Sequence, residues 1–293
     1  MDDHKSGFVS IVGNPNVGKS TIMNALVGER LSIITSKSQT TRHRIMGIVN
    51  GLDFQIVYSD TPGVLKPNSK LHESMLRFSK SALEDADIIL YVSDVFETID
   101  KNKEFIEQVK NTKVPVILVI NKIDLADQEK LEQLVDSWKE LLPDALIMPT
   151  SATENFNIGN LFDRIFDLLP KGAPYFPKDQ LTDKSERFFV SEIIREKILM
   201  NYKKEVPYAT EVEVEEFKES ADIIHIRAVI YVERDTQKGI IIGHKGEALK
   251  KTGTMARKDI EAFLEKKVFL GLFVKVDKDW KNKQGSLKKF GYQ

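Results

Sequence analysis

The sequence predicts two joined fold classes: an α/β unit with a mainly parallel sheet and helices on both faces, then a smaller α+β unit. Three observations predict this. In the first half, short continuous apolar runs alternate with amphipathic helical patterns. A polar, proline-containing stretch opening at Pro170-Lys171-Gly172-Ala173-Pro174 interrupts them. Beyond it, two runs alternate at period two and a Gly-x-x-Gly turn falls between helical patterns. At 293 residues the chain is long enough for two cores. The expected division is residues 1–171, a linker over 172–184, and residues 185–293. There is no internal repeat or low-complexity tract.

Phe8 to Val12 is an apolar run, expected as a buried strand ending at Gly13. A helical pattern follows from Thr21, with Ile22, Ala25, Leu26 and Val27 before a stop at Gly28. Gly13-Asn14-Pro15-Asn16-Val17-Gly18-Lys19-Ser20 therefore lies between strand and helix, as the P-loop signature requires. Its glycines let successive N–H groups turn inward at a helix N-terminus, making an anion nest. Asn14, Asn16, Val17, Gly18 and Thr21 belong to that nest. Lys19 is expected to reach the β- and γ-phosphates, and Ser20 to ligate Mg²⁺.

The polar segment Gln39-Thr40-Thr41-Arg42-His43-Arg44 comes next. One threonine here is expected to complete the Mg²⁺ shell, Thr41 or, as the alternative, Thr40. Arg42, His43 and Arg44 read either as an RNA- or partner-facing cluster or as an exposed basic loop. Phe54 to Tyr58 is a second buried strand, followed by Asp60-Thr61-Pro62-Gly63. An acid at the end of such a strand is placed to hold the Mg²⁺ shell, and Gly63 can offer its amide to a γ-phosphate.

Amphipathic stripes then run through Leu71, Met75 and Phe78, through Phe105, Ile106 and Val109, and through Leu131, Leu134, Val135 and Trp138. They read as core. Val114 to Ile120 is a continuous apolar strand that stops at Asn121-Lys122-Ile123-Asp124. The Asp124 carboxylate can accept from the N1–H and exocyclic amine of guanine, a donor pair that adenine lacks. Asn121 is expected to brace the neighbouring loop and Lys122 to lie along the base. Ala145 to Met148 is a further strand, after which Ser151 or Ala152 can donate a backbone N–H to guanine O6. Four motifs in this order predict a guanine-nucleotide site. A helix over 158–169 closes the first half.

Cysteine is absent, which excludes disulfides, thiol chemistry and a zinc ribbon. The N-terminus lacks a signal-peptide pattern and no apolar run approaches a membrane span, so a soluble intracellular protein is expected. The net charge of −1 conceals an asymmetry. Residues 1–171 hold 19 Lys+Arg against 24 Asp+Glu, and residues 172–293 hold 24 against 20. Between Lys238 and Lys289 the count is 14 against 6, an excess that predicts contact with a polyanion.

In the second half, Ser191 to Tyr202 reads as a helix, and Glu211 to Glu215 and Ile224 to Val232 as strands of a half-exposed antiparallel sheet. Lys238-Gly239-Ile240-Ile241-Ile242-Gly243-His244-Lys245-Gly246 then places Gly-x-x-Gly between helices, the loop by which KH domains clamp single-stranded nucleic acid. Two glycines allow close approach to a phosphate, Lys245 adds charge, and Ile240 to Ile242 offer an apolar floor for unstacked bases. A helix over Thr254 to Lys266 and a strand over Phe269 to Val276 complete the pattern. Lys250, Lys251, Lys258, Lys266 and Lys267 read equally as a solvated face.

With these motifs in hand, the chain resembles the Era family of bacterial GTPases over nearly its whole length. The resemblance rests on residues 13–20, 39–44, 60–63 and 121–124, and on Gln237 to Gly246. It implies a P-loop GTPase domain followed by a type II KH domain. It further implies binding near the 3′ end of small-subunit ribosomal RNA, a role in maturing the 30S subunit, and a monomer in the cytoplasm with peripheral contact at the inner membrane face. GTP/GDP and Mg²⁺ are the implied ligands. Hydrolysis is expected by in-line attack of water, with Lys19, Thr41 and the Gly63 amide stabilising developing charge. Val64 stands where many GTPases carry a water-orienting glutamine, so slow turnover is expected. Asn16 resembles the residue with which related GTPases hold K⁺. A second reading, a GTPase that gates tRNA modification, finds no catalytic cluster in this sequence.

Overall fold

The computed structural model describes residues 3–35, 37, 39–63, 66–98 and 102–292. They form two compact units, Met1–Pro67 with His72–Asp183, and Asn68–Leu71 with Lys184–Gln293.

The first unit is built on six strands: β1 (Lys5–Gly13), β2 (Ile45–Asn50), β3 (Phe54–Asp60), β4 (Ile88–Asp94), β5 (Val116–Asn121) and β6 (Leu146–Pro149). Their order is β2-β3-β1-β4-β5-β6. β2 pairs antiparallel to β3 through a tight hairpin, and every other neighbour is parallel. Burial explains the parallel part: every residue of β4 is buried, as expected of a strand covered on both faces. Helices α1 (Lys19–Val27), α2 (Lys70–Glu84), α3 (Lys103–Lys110) and α4 (Gln128–Leu141) connect the strands, and α5 (Ile158–Leu168) follows the last of them. On one face, Tyr91, Leu118 and Ile120 pack with Phe105, Val109 and Trp138. Because β1, β3, β4, β5 and β6 run the same way, the loops after them share the carboxyl edge, where ligands of open α/β sheets bind.

Two strands escaped the sequence reading. β4 is an apolar run like its neighbours. β2 is short, and Gly47 in its middle blurs the pattern. α1 also starts at Lys19, two residues before the expected Thr21. Residues 172–183 are strapped along the edge of the sheet. Ile48 N–H donates to Leu181 O at 2.8 Å, Thr182 Oγ1 to Met46 O at 2.7 Å, and the amides of Tyr175 and Phe176 to Gln55 Oε1 at 2.7 and 2.9 Å. An edge strand exposes unpaired backbone groups, and this strap satisfies several of them.

The second unit contains α6 (Glu186–Asn201), β7 (Glu211–Glu219), β8 (Ile223–Val232), α7 (Asp235–Ile242), α8 (Glu247–Leu264), β9 (Lys267–Val276) and α9 (Gln284–Lys289). Ser185 caps α6, accepting from Phe188 N–H, so the helix starts before the expected Ser191. The sheet order is β7-β8-β9, with β7 antiparallel and β9 parallel to β8. The antiparallel pair read from sequence is present as β7 and β8, and β9 adds a parallel strand whose direction the sequence did not indicate. The α7–α8 crossover returns β9 in the same direction as β8, which a hairpin cannot do. One face of this sheet packs on Val190, Ile194, Ile198, Ile241, Ala256 and Ile260.

Candidate active site and nucleic-acid interface

The loop after β1 carries the phosphate motif into α1. Gly18 takes φ 98°, and a Cβ there would sit 2.1 Å from Asn121 Nδ2, so only glycine fits. Lys19 is 6% exposed, and its Nζ donates to Asn14 O at 2.7 Å. Burial drives its ammonium down to about 8, against the pull of Asp60 and Glu97. Ser20 and Thr41 hydroxyls lie 2.9 Å apart. Ser20 Oγ donates to Asp60 Oδ2 at 2.7 Å and Thr41 Oγ1 donates to the same atom at 3.2 Å. The other oxygen, Asp60 Oδ1, is buried with no hydrogen bond among the described residues. Burial pushes this carboxyl up, although Ser20 and Lys19 pull it down.

Two hydroxyls and an under-satisfied carboxylate, all oxygen donors within one hydrogen-bonded cluster, fit a hard divalent cation. A buried ammonium short of negative charge beside them fits a phosphate chain. Of the two threonines weighed from sequence, Thr41 lies in this cluster, whereas Thr40 Oγ1 donates to Lys37 O at 2.6 Å. Thr61 Oγ1 holds Ile11 O at 2.8 Å and Ser79 Oγ holds Pro62 O at 2.8 Å, which fixes the approach to Gly63. Gly63 lies against Pro15 of the phosphate loop, where a Cβ would come within 2.7 Å of its ring and backbone. Val64 lies outside the described residues.

The basic triplet is not an exposed face. Arg42 is fully buried. Arg44 Nε donates to Ser59 Oγ at 2.6 Å, and its Nη1 donates to Ser81 Oγ at 3.1 Å and Asp85 Oδ2 at 2.5 Å. Both earlier alternatives are corrected for these two arginines: Arg42 lies in the interior, and Arg44 ties the segment after Thr41 to Ser59 of β3 and Ser81 of α2. His43 is half-buried with its ring 6.0 Å from that of Phe78.

At the other end of the cleft, Lys122 takes φ 63° and leads into a short turn over Ile123–Leu125 that leaves Asp124 exposed. Asn121 braces two loops at once. Its Nδ2 donates to Val17 O at 2.9 Å, and its Oδ1 accepts from Ala152 N–H at 3.1 Å. Ser151 N–H donates to Phe156 O at 3.2 Å. Both amides offered for guanine O6 are thus engaged within the protein, that of Ser151 with Phe156 and that of Ala152 with Asn121. Thr21 and Asn16 line the same cleft of about 410 Å³, which runs from Lys19 and Ser20 to Lys122 and Leu125. Such a volume suits a small-molecule site.

In the second unit α7 ends at Gly243, whose φ of 72° with ψ near 180° is open to glycine, and where a Cβ would fall 2.6 Å from that of Ala248. Lys245 and Gly246 both have positive φ, and α8 starts at Glu247. His244 and Lys245 are exposed, as is Gly239, while Lys238 is half-buried. The apolar floor is narrower than expected. Ile240 is 51% exposed, but Ile241 is fully buried in the core and its carbonyl accepts from Tyr202 Oη at 2.7 Å. One helical residue in three along this turn must face inward, and Ile241 is that one. Ile240 and Ile242 remain.

Comparisons with known proteins find matches in both units. A family model described as 50S ribosome-binding GTPase matches residues 8–122, and a KH domain model matches residues 205–281. The chain is 40% identical to Era in a crystal structure with MgGDPNP and nucleotides 1506–1542 of 16S ribosomal RNA, covering 99% of both chains with a TM-score of 0.94. It is likewise 40% identical to a single-residue variant of Aquifex aeolicus Era bound to GDP.AlF4−, covering 98% of this chain and 99% of that one, with a TM-score of 0.94. This chain belongs to the Era family. It is a GTPase with a C-terminal KH domain.

One side chain that helps organise this cleft was not read from the sequence. Asp94, at the end of β4, accepts from Lys122 Nζ at 2.6 Å, and Lys122 Nζ also donates to Asn16 O at 2.6 Å. The signal was available, since an acid closing an apolar strand is the pattern that singled out Asp60.

Proposed function

We propose that this chain binds and hydrolyses GTP to control the grip of its KH domain on the 3′ end of small-subunit ribosomal RNA, acting in assembly and maturation of the 30S subunit. The observation that carries this is the convergence of Ser20, Thr41 and Asp60 beside buried Lys19, in a chain 40% identical throughout to an Era solved with MgGDPNP and 16S ribosomal RNA nucleotides. In this reading the nest from Asn14 to Thr21 holds the phosphates, and Lys19 neutralises charge that builds on the β–γ bridge. Gly63 offers its amide to the γ-phosphate. Ser20, Thr41 and Asp60 hold Mg²⁺, which when bound screens the phosphates and orients them for in-line attack. Asp124 selects guanine, and Asn121 and Lys122 keep its loop in register with the phosphate loop. Lys238 to Gly246 clamps the RNA backbone, with His244 and Lys245 outermost.

The proposed domain limits are residues 1–171 for the GTPase, 172–184 for the joining segment and 185–293 for the KH domain. K⁺ beside the phosphates is a further part of the proposal, supported by exposed Asn16 at φ 67°; equal rates in Na⁺ and K⁺ would remove it. The protein is proposed to act as a cytoplasmic monomer with peripheral membrane contact through its basic stretch. No helix among the described residues is long and apolar enough to cross a membrane. Light scattering and vesicle co-sedimentation test these two points. The central test is the affinity of the full chain for an oligonucleotide from the rRNA 3′ end, measured with GDP and with a non-hydrolysable GTP analogue at fixed salt. A difference between them supports control by nucleotide, and equal affinities reject it.

A further inference from the structure

A side chain outside the four nucleotide motifs reaches the same cleft. Phe96 follows β4 by two residues, lines the cleft and leaves 57% of its surface exposed. A large aromatic ring held open beside a base-recognition loop has a face available for another π system or for a sugar. The ring is not loosely placed. Its backbone N–H donates to Asp94 Oδ1 at 2.9 Å, while Asp94 Oδ2 accepts from Lys122 Nζ at 2.6 Å. Asp94 is 5% exposed, so one buried carboxylate sets Phe96 and Lys122 relative to each other. Lys122 is tied in turn to the phosphate loop through Asn16 O. Lys130 Nζ stands 5.1 Å from the Phe96 ring centroid, a cation–π contact that steadies the ring from α4. Leu125, 59% exposed, lines the cleft near Lys122.

We propose that Phe96 is a nucleoside-binding residue of this site and that Asp94 is the residue that positions it together with Lys122. The inference rests on the guanine-nucleotide reading above. Its ligand is the guanosine portion that GDP and GTP share. Phe96, Leu125 and the methylene stem of Lys122 form the apolar walls at that end of the cleft, and packing guanosine against them removes apolar surface from water. Asp124 supplies hydrogen-bond selection of guanine but little apolar area. Phe96 supplies area without selection. The two therefore divide specificity and residence time between them.

The test uses the full chain and measures affinity for GDP and for a non-hydrolysable GTP analogue, with Phe96→Ala, Phe96→Leu and Asp94→Asn beside the wild type. Phe96→Ala is expected to weaken both nucleotides by the same factor, about tenfold, through loss of buried apolar area. Phe96→Leu is expected to recover most of that loss, because it keeps an apolar wall. Asp94→Asn keeps an acceptor for the Phe96 amide but loses the ion pair, and is expected to speed GDP release. Thermal melting of both nucleotide-free Phe96 variants is expected to match the wild type, since the ring is largely outside the core. Phe96→Ala affinities within twofold of wild type for both nucleotides would overturn the inference, as would a loss confined to the GTP analogue. A wild-type chain that binds neither nucleotide would defeat the guanine reading itself, a result distinct from either.

Discussion

At the scale of single residues, Thr40 and Thr41 are the informative pair, adjacent in sequence and separated by role. Thr41 Oγ1 belongs to the cluster around Asp60 Oδ2, whereas Thr40 Oγ1 closes a turn on Lys37 O. Thr41→Ala is expected to slow GTP hydrolysis by about 10²-fold, the scale of losing one group that stabilises charge in the transition state. It should leave GDP affinity nearly unchanged. Thr40→Ala is expected to change single-turnover hydrolysis by less than about threefold, since one turn hydrogen bond is a modest term. Equal rates for the two variants would contradict the assignment. What was legible here follows from how local the chemistry is. Gly18, Lys19, Asp60 and Asp124 announce themselves because their motifs encode backbone shape and charge within a few residues. Arg42 and Ile241 did not, because a charged residue in a polar loop and one isoleucine of three in the last turn of a helix acquire their burial only from distant packing partners. Asp94 was legible in principle, as an acid ending an apolar strand, but its partner Lys122 lies 28 residues away.

At the scale of elements, α6 and α9 show polar groups fixing helices in the KH unit. Arg195 on α6 is fully buried and makes a bidentate pair with Glu192, with Nε to Oε1 at 2.7 Å and Nη2 to Oε2 at 2.6 Å. Glu211, also buried, accepts from Tyr292 Oη at 2.7 Å. Arg195→Met leaves buried carboxylates without their cation and is expected to cost about 3–5 kcal/mol of unfolding free energy. Combining it with Glu192→Leu should recover part of that cost, and urea denaturation measures both. α9 depends on Asp277, whose oxygens accept from Ser286 Oγ at 2.6 Å and Lys283 Nζ at 2.9 Å. Burial raises this carboxyl, but the Ser286 and Lys283 bonds outweigh it and hold it below the ordinary aspartate value. A depressed folded-state pKa stabilises fully above the unfolded value near 3.9, and the gain is lost as pH falls through the folded value. Asp277→Asn is therefore expected to lose about 1 kcal/mol at pH 7, with the gap to wild type narrowing below about pH 4. A gap independent of pH would show that Asp277 acts only through shape. The element types were readable from periodicity, yet the direction of β9 was not. Period two reports which faces are wet and dry, whereas parallel or antiparallel pairing depends on how α7 and α8 return the chain.

At the scale of the whole molecule, the charge division carries a quantitative expectation. Residues 1–171 hold 19 basic against 24 acidic side chains, and the stretch from Lys238 to Lys289 holds 14 against 6. Single-stranded RNA that meets the second unit releases counterions, so the logarithm of its affinity should fall linearly with that of salt, with a slope of about −0.7 per phosphate neutralised. Lys245 is exposed within the Gly-x-x-Gly loop. Lys245→Ala is expected to flatten the slope by about 0.7 and weaken all sequences alike, the mark of a phosphate contact rather than base readout. An unchanged slope would remove Lys245 from the clamp. The same titration, run with GDP and with a non-hydrolysable GTP analogue, separates electrostatics from coupling. If nucleotide changes only how firmly the KH loop is presented, the two lines keep one slope and differ by a constant offset. Linkage then requires that RNA shift the affinity for the GTP analogue, relative to GDP, by the same factor. An offset seen from the RNA side without its equal from the nucleotide side would mean that the two measurements do not report the same pair of states.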